Sequence, residues 1–287
     1  LVGNVAGLSL GGVSVPGTGL SLAVESVPGG SLFGGSLPFA LRLEADAVRT
    51  ASGEITATGE APLLVVADGT IDTANAAADA EIDLRAGGGQ VKFNGSLAAG
   101  AVTGTATAVY PEVQALARLA GQDLSGGVNA RADGTFMSPD GVRLAVTADL
   151  SNFDPGQETL ARLLAGASKV SANLATDGQG TVTVSNLDVS GAALQASGDA
   201  TVRPETITAS IKGAVADLSL LAANTTGSAT FDADLSGART RPEGDAAIRT
   251  AGCDYTILRP GLVIAPTAYG GTALLRMLAA FPLAQPI

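Results

Sequence analysis

The composition of this 287-residue chain excludes several classes of function before any motif is considered. It has no histidine and a single cysteine, Cys253, so it lacks the commonest general base, the commonest metal ligand and any internal disulfide. A formal net charge of −11 repels phosphate backbones, and we expect no nucleic-acid partner. With 3% aromatic residues and 38 glycines, an apolar core has to be built from alanine, valine and leucine in a turn-rich β architecture.

The N-terminal stretch predicts neither a signal peptide nor a membrane anchor. The chain starts at Leu1, and its first 24 residues carry repeated glycine and a proline where a signal peptide has a continuous apolar run. No later stretch of about 20 apolar residues follows. The sequence therefore looks like an internal fragment of a longer protein.

Strict alternation of apolar and polar residues recurs from residue 37 to residue 235 and predicts half-buried β-strands. In "VRLAVTADL" (142–150), for example, every second side chain is apolar, so one side of the strand is apolar and the other polar. The residues predicted to line the apolar side are Leu37, Phe39, Leu41, Leu43, Val142, Leu144, Val146, Ala148, Leu150, Val170, Leu174, Ile207, Ile211, Phe231 and Leu235.

Four Asp-Gly pairs predict tight turns between consecutive strands, because glycine and, to a lesser degree, aspartate tolerate positive φ. They are 68–69, 133–134, 140–141 and 177–178. Consecutive strands are then neighbours, and residues 1–236 form an antiparallel meander. Asp232 and Asp234, two apart on one strand, are expected on its solvent face, and no metal site is predicted.

Two segments have helical spacing instead. In "PEVQALARLAGQDLSG" the apolar residues share one helical face, Pro111 suits a first turn and Gly121 can end the helix. In "DPGQETLARLLAG" the polar start at Gln157 and the terminal Gly166 predict a second short helix.

These stretches together resemble the translocation and assembly module subunit TamB and its AsmA-like relatives. The resemblance covers about residues 1–238 and rests on the short helix with its leucine-glycine phrase, on "DLSG" at 123–126 and 234–237, and on "ADLSLL" at 216–221. It implies a mainly β fold, in which an elongated antiparallel sheet with two short helices is curled into an open, β-taco-like trough.

The same resemblance implies a function in outer-membrane biogenesis. The chain would be a periplasmic part of a parent protein anchored in the inner membrane, with phospholipid acyl chains in its apolar groove. It would support lipid transport or protein assembly at the outer membrane, and an outer-membrane assembly barrel protein is a further expected partner. A purely structural β-scaffold with a closed core remains an alternative, because alternation alone shows only an amphipathic sheet.

The tail, about residues 237–287, resembles a fragment of an atypical short-chain dehydrogenase/reductase, on the phrase "DYTILRPG". The resemblance implies an αβ fragment with a helix over 243–251, a strand over 255–258 and a nicotinamide-side loop of Arg259, Pro260 and Gly261. A further amphipathic helix is expected over 270–280. We therefore divide the chain into a β-rich domain, 1–236, and an incomplete reductase-like fragment, 237–287.

The catalytic positions of that family are not filled. The tyrosine position falls on Gly237 and the lysine position on Arg241, so neither the proton donor nor the amine that lowers its pKa is there. Glycine-rich turns with the spacing needed for a pyrophosphate are also missing. We expect no enzyme activity and no cofactor, and a degenerate NAD(P)-binding fragment remains the second alternative.

Overall fold

The structure is a computed structural model that describes residues 2–10, 12–24, 35–221, 225–238, 241–250 and 256–258. It is mainly β, antiparallel, with two short helices, as the sequence predicts. The chain divides into two compact units, Leu1–Pro139 and Asp140–Ile287, here called the N-terminal and the C-terminal unit. This division differs from the expected boundary at 236/237, which lies inside a strand.

The N-terminal unit is one antiparallel sheet with a short helix. Its strands pair in chain order except that β3 pairs with β6, so that the hairpin β4–β5 is an insertion lying beside β2. The elements are β1 (Val2–Leu10), β2 (Val13–Val24), β3 (Ser36–Ala45), β4 (Ala47–Arg49), β5 (Glu54–Thr56), β6 (Leu63–Asp72), β7 (Ala77–Ala86), β8 (Gly89–Ala98), β9 (Ala101–Tyr110), α1 (Gln114–Leu119) and β10 (Ser125–Met137).

The C-terminal unit is a meander in which each strand pairs antiparallel with the next. A single 3₁₀ turn, Leu218–Leu220, precedes β16. The elements are β11 (Arg143–Asp154), α2 (Glu158–Leu163), β12 (Ala167–Thr176), β13 (Val182–Gly191), β14 (Leu194–Val202), β15 (Thr206–Val215), β16 (Ala229–Ala238), β17 (Arg241–Thr250) and β18 (Thr256–Leu258).

Both predicted helices are present. Each connects the end of one strand to the start of another, α1 between β9 and β10 and α2 between β11 and β12. Each has only six residues, too few to be stable in isolation, so its stability comes from packing against the sheet. No helix among the described residues is long and apolar enough to span a bilayer.

Two of the four predicted turns are wrong. Residues 140–141 and 177–178 lie in turns or bends, but Gly69 lies inside β6 and Gly134 inside β10. A side chain at Gly69 would overlap the backbone of β7, so this glycine is required for a close approach between strands. Asp-Gly has the same local signature in both roles, and only the pairing of the strands separates them.

The helix expected over 243–251 is also wrong. Residues 241–250 form β17, which pairs with β16 residue for residue, from Ala229 opposite Thr250 to Ala238 opposite Arg241. Pairing satisfies a whole row of β16 backbone groups, whereas an isolated helix of nine residues containing Gly244 is marginal. The strand expected over 255–258 is present as β18, antiparallel to β17. The loop of Arg259, Pro260 and Gly261 and the helix expected over 270–280 lie outside the described residues.

Candidate functional site

The predicted apolar residues share one face of each sheet. In the N-terminal unit, four of them lie on β3 and stand opposite apolar or glycine positions of β6, such as Leu41 opposite Ala67 and Leu43 opposite Val65. In the C-terminal unit, Leu144 stands opposite Leu174 on the neighbouring strand. Val142 directly precedes β11, and its carbonyl accepts a hydrogen bond from the Thr176 N–H. The face there contains the rest of the predicted set, Leu144, Val146, Ala148, Leu150, Val170, Leu174, Ile207, Ile211, Phe231 and Leu235.

Cross-strand rows make this face continuous within each unit. In the C-terminal unit one row runs from β11 to β16, and in the N-terminal unit another runs from β3 to β10. The rows are Leu144–Leu174–Val184–Ala200–Ala209–Leu235 and Leu41–Ala67–Ile82–Phe93–Ala106–Ala132. Every member is an aliphatic or aromatic side chain, so the face presents no polar group along these rows.

The set of apolar-face residues predicted from the sequence leaves out most of those on β7–β9 and β13–β14. Ile82 and Phe93, for example, stand directly opposite each other on the apolar face of the N-terminal unit. The signal is present in "AEIDLRA" and "VKFNG", which alternate in the same way. Alanine and glycine at many positions weaken the contrast between the two faces, and this hides the pattern.

The side chains of the apolar face are covered to different extents in the two units. Of the predicted set, Leu144 is buried, with 4% of its surface exposed, whereas all the others remain partly exposed. No large side chain in the described part of the chain is completely enclosed. Two sheets that pack face to face interdigitate at the density of an organic crystal and do enclose such side chains. In the N-terminal unit Leu41, Ile82 and Phe93 all stay partly exposed, so its apolar face lacks a complete facing layer among the described residues. In the C-terminal unit Val184, Leu187 and Val189 of the apolar face are buried, each with 5% of its surface exposed.

A row of small residues crosses the sheet of the N-terminal unit, Gly69–Ala80–Gly95–Gly104–Gly134, each opposite the next. A Cβ on Gly69 or Gly104 would overlap the neighbouring strand's backbone, although opposed Cβ atoms normally stand about 5 Å apart. The neighbouring backbone thus approaches on the side where the Cβ would stand. By alternation this is the apolar side, so the sheet is bent towards its apolar face along this row.

Two phenylalanine rings lie over glycines of the sheet. The ring of Phe231 occupies the space that a Cβ would take on Gly213, and the ring of Phe93 does the same at Gly95. Phe93 also contacts Phe136 edge to face, with ring centroids 5.2 Å apart. The rings of Phe231 and Phe93 therefore cover exposed backbone at glycine.

The opposite face is polar and carries exposed ion pairs. Lys169 Nζ lies 2.8 Å from Asp149 Oδ1, directly across β11 and β12, and Arg131 Nη2 lies 2.6 Å from Asp133 Oδ1 along β10. Hydrogen bonds from Arg131, and then from the Thr105 hydroxyl, lower the pKa of the Asp133 carboxyl. Water screens exposed pairs of this kind, so they keep this face hydrated and add little to stability.

One edge of the N-terminal apolar face is closed by α1 and the hairpin β4–β5. Ala117 of α1 and Ile55 of β5 are buried there, and the Thr50 hydroxyl donates a 2.7 Å hydrogen bond to the Leu119 carbonyl at the end of the helix. Tyr110 is also buried at this edge without a hydrogen-bond partner for its hydroxyl, and burial raises its pKa.

In the C-terminal unit, Leu163 and Leu164 at the end of α2 are buried. Ser168, at the start of β12, is 2% exposed and its hydroxyl has no partner. It is the single buried polar residue in the described part of the chain.

Among the described residues, nothing covers the other edge of the N-terminal apolar face. Ile71, Leu97 and Met137 lie there with 40%, 37% and 56% of their surface exposed. They belong to the same face as the cross-strand rows, since Ile71 stands opposite Leu37 and Leu97 opposite Val102, which in turn stands opposite Met137. We use the term open edge for these three residues and the adjoining turns 73–76 and 99–100.

Chemistry-bearing residues do not converge in the described part of the chain, where no group of three or more His, Cys, Asp or Glu side chains could hold a metal ion. No protein-family model, no curated protein and no solved structure matches this chain. Of the reductase-like positions, Gly237 and Arg241 lie in the paired strands β16 and β17. The arrangement that remains is one apolar sheet face in each unit. In the N-terminal unit the sheet is bent towards this face, which is closed at one edge and, among the described residues, open at the other.

Proposed function

We propose that the chain is a lipid-conduit segment that shelters phospholipid acyl chains on its concave apolar face. In this proposal it belongs to a TamB or AsmA-like protein of the periplasm, and it supports lipid transport or protein assembly at the outer membrane. The observation that carries the proposal lies in the N-terminal unit, where the apolar face of a bent sheet is continuous from strand to strand and its larger side chains stay partly exposed.

The energetics of such a face suit transport. Each acyl methylene removed from water recovers about 0.8 kcal/mol, so a two-chain lipid cannot cross an aqueous gap unaided at a useful rate. A surface made mainly of aliphatic side chains offers similar contacts at every strand. An acyl chain would therefore meet no deep minimum and could move from strand to strand at nearly constant free energy.

The dimensions also suit an acyl chain. From β3 to β10 the apolar face crosses the pairings β3–β6, β6–β7, β7–β8, β8–β9 and β9–β10, which at about 4.8 Å each span roughly 24 Å. The hydrocarbon core of a bilayer is about 30 Å thick for two leaflets, so one acyl chain reaches about 15 Å. The face of the N-terminal unit is thus long enough to hold a whole acyl chain lying across its strands.

Photocrosslinking at adjacent positions tests the proposal. A benzophenone amino acid at Leu41, on the apolar face, should crosslink to phospholipid that co-purifies in detergent-free buffer, whereas the same group at Arg42 should not. Ile211 and Lys212 form the matching pair in the C-terminal unit. Mass spectrometry of the adducts identifies the lipid, and the unfolding midpoint of each variant checks that the sheet is intact.

Three outcomes separate the alternatives. Lipid adducts at Leu41 and Ile211, without adducts at Arg42 and Lys212, support the conduit. Folded variants without any lipid adduct, in a preparation free of acyl lipid, favour a structural β-scaffold. A change in nicotinamide fluorescence when NADPH is titrated into the protein would favour the degenerate NAD(P)-binding fragment.

A further inference from the structure

We propose that the open edge of the N-terminal unit contacts the surface of an electrically neutral lipid bilayer. The inference rests on the proposed function and goes further, because it assigns one edge of one sheet to the membrane from which acyl chains enter. Its evidence is the exposure of Ile71, Leu97 and Met137 together with the local structure that produces it.

The first local feature is a bulge in β10. Thr135 stands opposite Thr103, but the next paired residue, Met137, stands opposite Val102, so Phe136 is an extra residue in the strand. Phe136 packs against Phe93 of the apolar face, and without the bulge Met137 would point to the polar face. The bulge thus aims two successive apolar side chains at the same side and leaves Met137 more than half exposed.

The second local feature is a left-handed backbone conformation at one alanine in each of two turns. Ala76 and Ala99 have φ of 51° and 50°, in the left-handed region that asparagine and glycine adopt more easily. Both alanines are exposed at turns of this same edge. Each turn therefore accepts backbone strain while carrying a methyl group where a glycine or a polar residue is usual.

The charged residues near the open edge indicate which kind of lipid surface it contacts. The stretches 69–80, 95–104 and 135–139 contain no lysine or arginine, so nothing there attracts an anionic surface. The Asp72 carboxylate accepts hydrogen bonds from the backbone of Ala74 and Asn75 and from the Asn75 side chain, and it is satisfied within its own turn. An edge with apolar tips and no cation matches the boundary between headgroups and acyl chains of a zwitterionic bilayer.

A protein partner fits less well. Stable protein interfaces bury about 800 Å² on each side and are anchored by aromatic residues and arginine. The open edge has three exposed large side chains, none of them aromatic, and no arginine in its stretches. Its size and composition suit shallow insertion into lipid better than a protein interface.

A single tryptophan tests the inference, because the protein has none of its own. We would place it at Leu97 of the full chain and, as a matched control, at Val109, which lies on the neighbouring strand β9, is 49% exposed and faces the polar side. With phosphatidylcholine vesicles, the L97W fluorescence should shift to the blue and be quenched by brominated lipid, equally at low and high salt. The V109W fluorescence should stay unchanged. Ile71→Ser and Met137→Ser in the L97W background should each weaken vesicle partitioning about five-fold, since each side chain is about half exposed.

The other outcomes overturn the inference. If the L97W fluorescence does not respond to vesicles, the proposed membrane contact is wrong. Lipid crosslinks at Leu41 in the same protein would then show that the proposed lipid binding on the apolar face does not depend on that contact. A blue shift that depends on protein concentration in the absence of vesicles would assign the edge to a second copy of the chain. A response to vesicles only when they contain anionic lipid, lost at high salt, would mean that charge elsewhere on the molecule directs the binding.

Discussion

Two leucines of one sheet face provide a direct test of whether the apolar face is closed at one edge and open at the other. Leu63, at the start of β6 beside the insertion β4–β5, is 5% exposed, and Leu97, at the open edge, is 37% exposed. Both lie in the N-terminal unit, so the substitutions Leu63→Ala and Leu97→Ala affect the same unfolding transition.

The expected costs differ because only one substitution leaves an enclosed void. A Leu→Ala change at a buried site costs about 3 kcal/mol, which includes the cavity. At Leu97 about two thirds of the side chain is buried, so the lost transfer free energy is about two thirds of 2.4 kcal/mol, or roughly 1.5 kcal/mol. No cavity cost is added there, because water fills the gap.

Urea unfolding measures both values. With a slope of about 2 kcal/mol per molar urea, the midpoint of Leu63→Ala should fall roughly 0.7 M further than that of Leu97→Ala, at an unchanged slope. Equal losses for the two variants would mean that Leu97 is covered in solution and would refute an open edge.

Three further results are expected. Gly104→Ala should cost roughly 2 kcal/mol, because its Cβ would overlap the neighbouring strand, whereas Gly59→Ala, with open space around it, should change the unfolding free energy by less than about 0.5 kcal/mol. Thr50→Val should cost about 1 kcal/mol in the same urea assay, since the Leu119 carbonyl loses its hydrogen bond; an unchanged midpoint would remove the proposed role of this contact in holding α1. The pKa of Asp83 is lowered, mainly by a hydrogen bond from Arg85, so its contribution to stability is present above the ordinary carboxyl pKa of about 3.9 and is lost as the pH falls through the lowered value. Asp83→Asn should therefore flatten the acid side of a plot of unfolding midpoint against pH, and a profile as steep as that of the unchanged protein would contradict this assignment.

The β architecture could be predicted from sequence because alternation with period two has one simple structural meaning. "VRLAVTADL" needs no partner to reveal its two faces, and the leucine spacing around residues 116 and 160 separates both helices from the strands. The apolar face could be predicted for the same reason, chiefly where its residues are leucine, isoleucine, valine or phenylalanine.

What sequence could not supply depends on pairing between strands. Residues 241–250 form a strand because β16 offers a complete hydrogen-bonding edge, which is a tertiary effect that no local pattern contains. The open edge depends on register, since the bulge at Phe136 decides on which side Met137 lies. The bend of the sheet depends on Gly69, Gly95 and Gly104 standing opposite small residues, although they are far apart in the chain.

The insertion β4–β5 shows that this sheet accommodates an extra hairpin without losing the pairing of its neighbouring strands. The chain leaves the main sheet after β3, forms a hairpin and returns as β6, which still pairs with β3 along its whole length. Because neighbouring strands are antiparallel, adding or deleting any two consecutive strands preserves both the direction and the facing of those that remain. The gain or loss of one such hairpin would therefore change the length of the sheet by two strand spacings, roughly 10 Å, and leave its apolar and polar faces where they are.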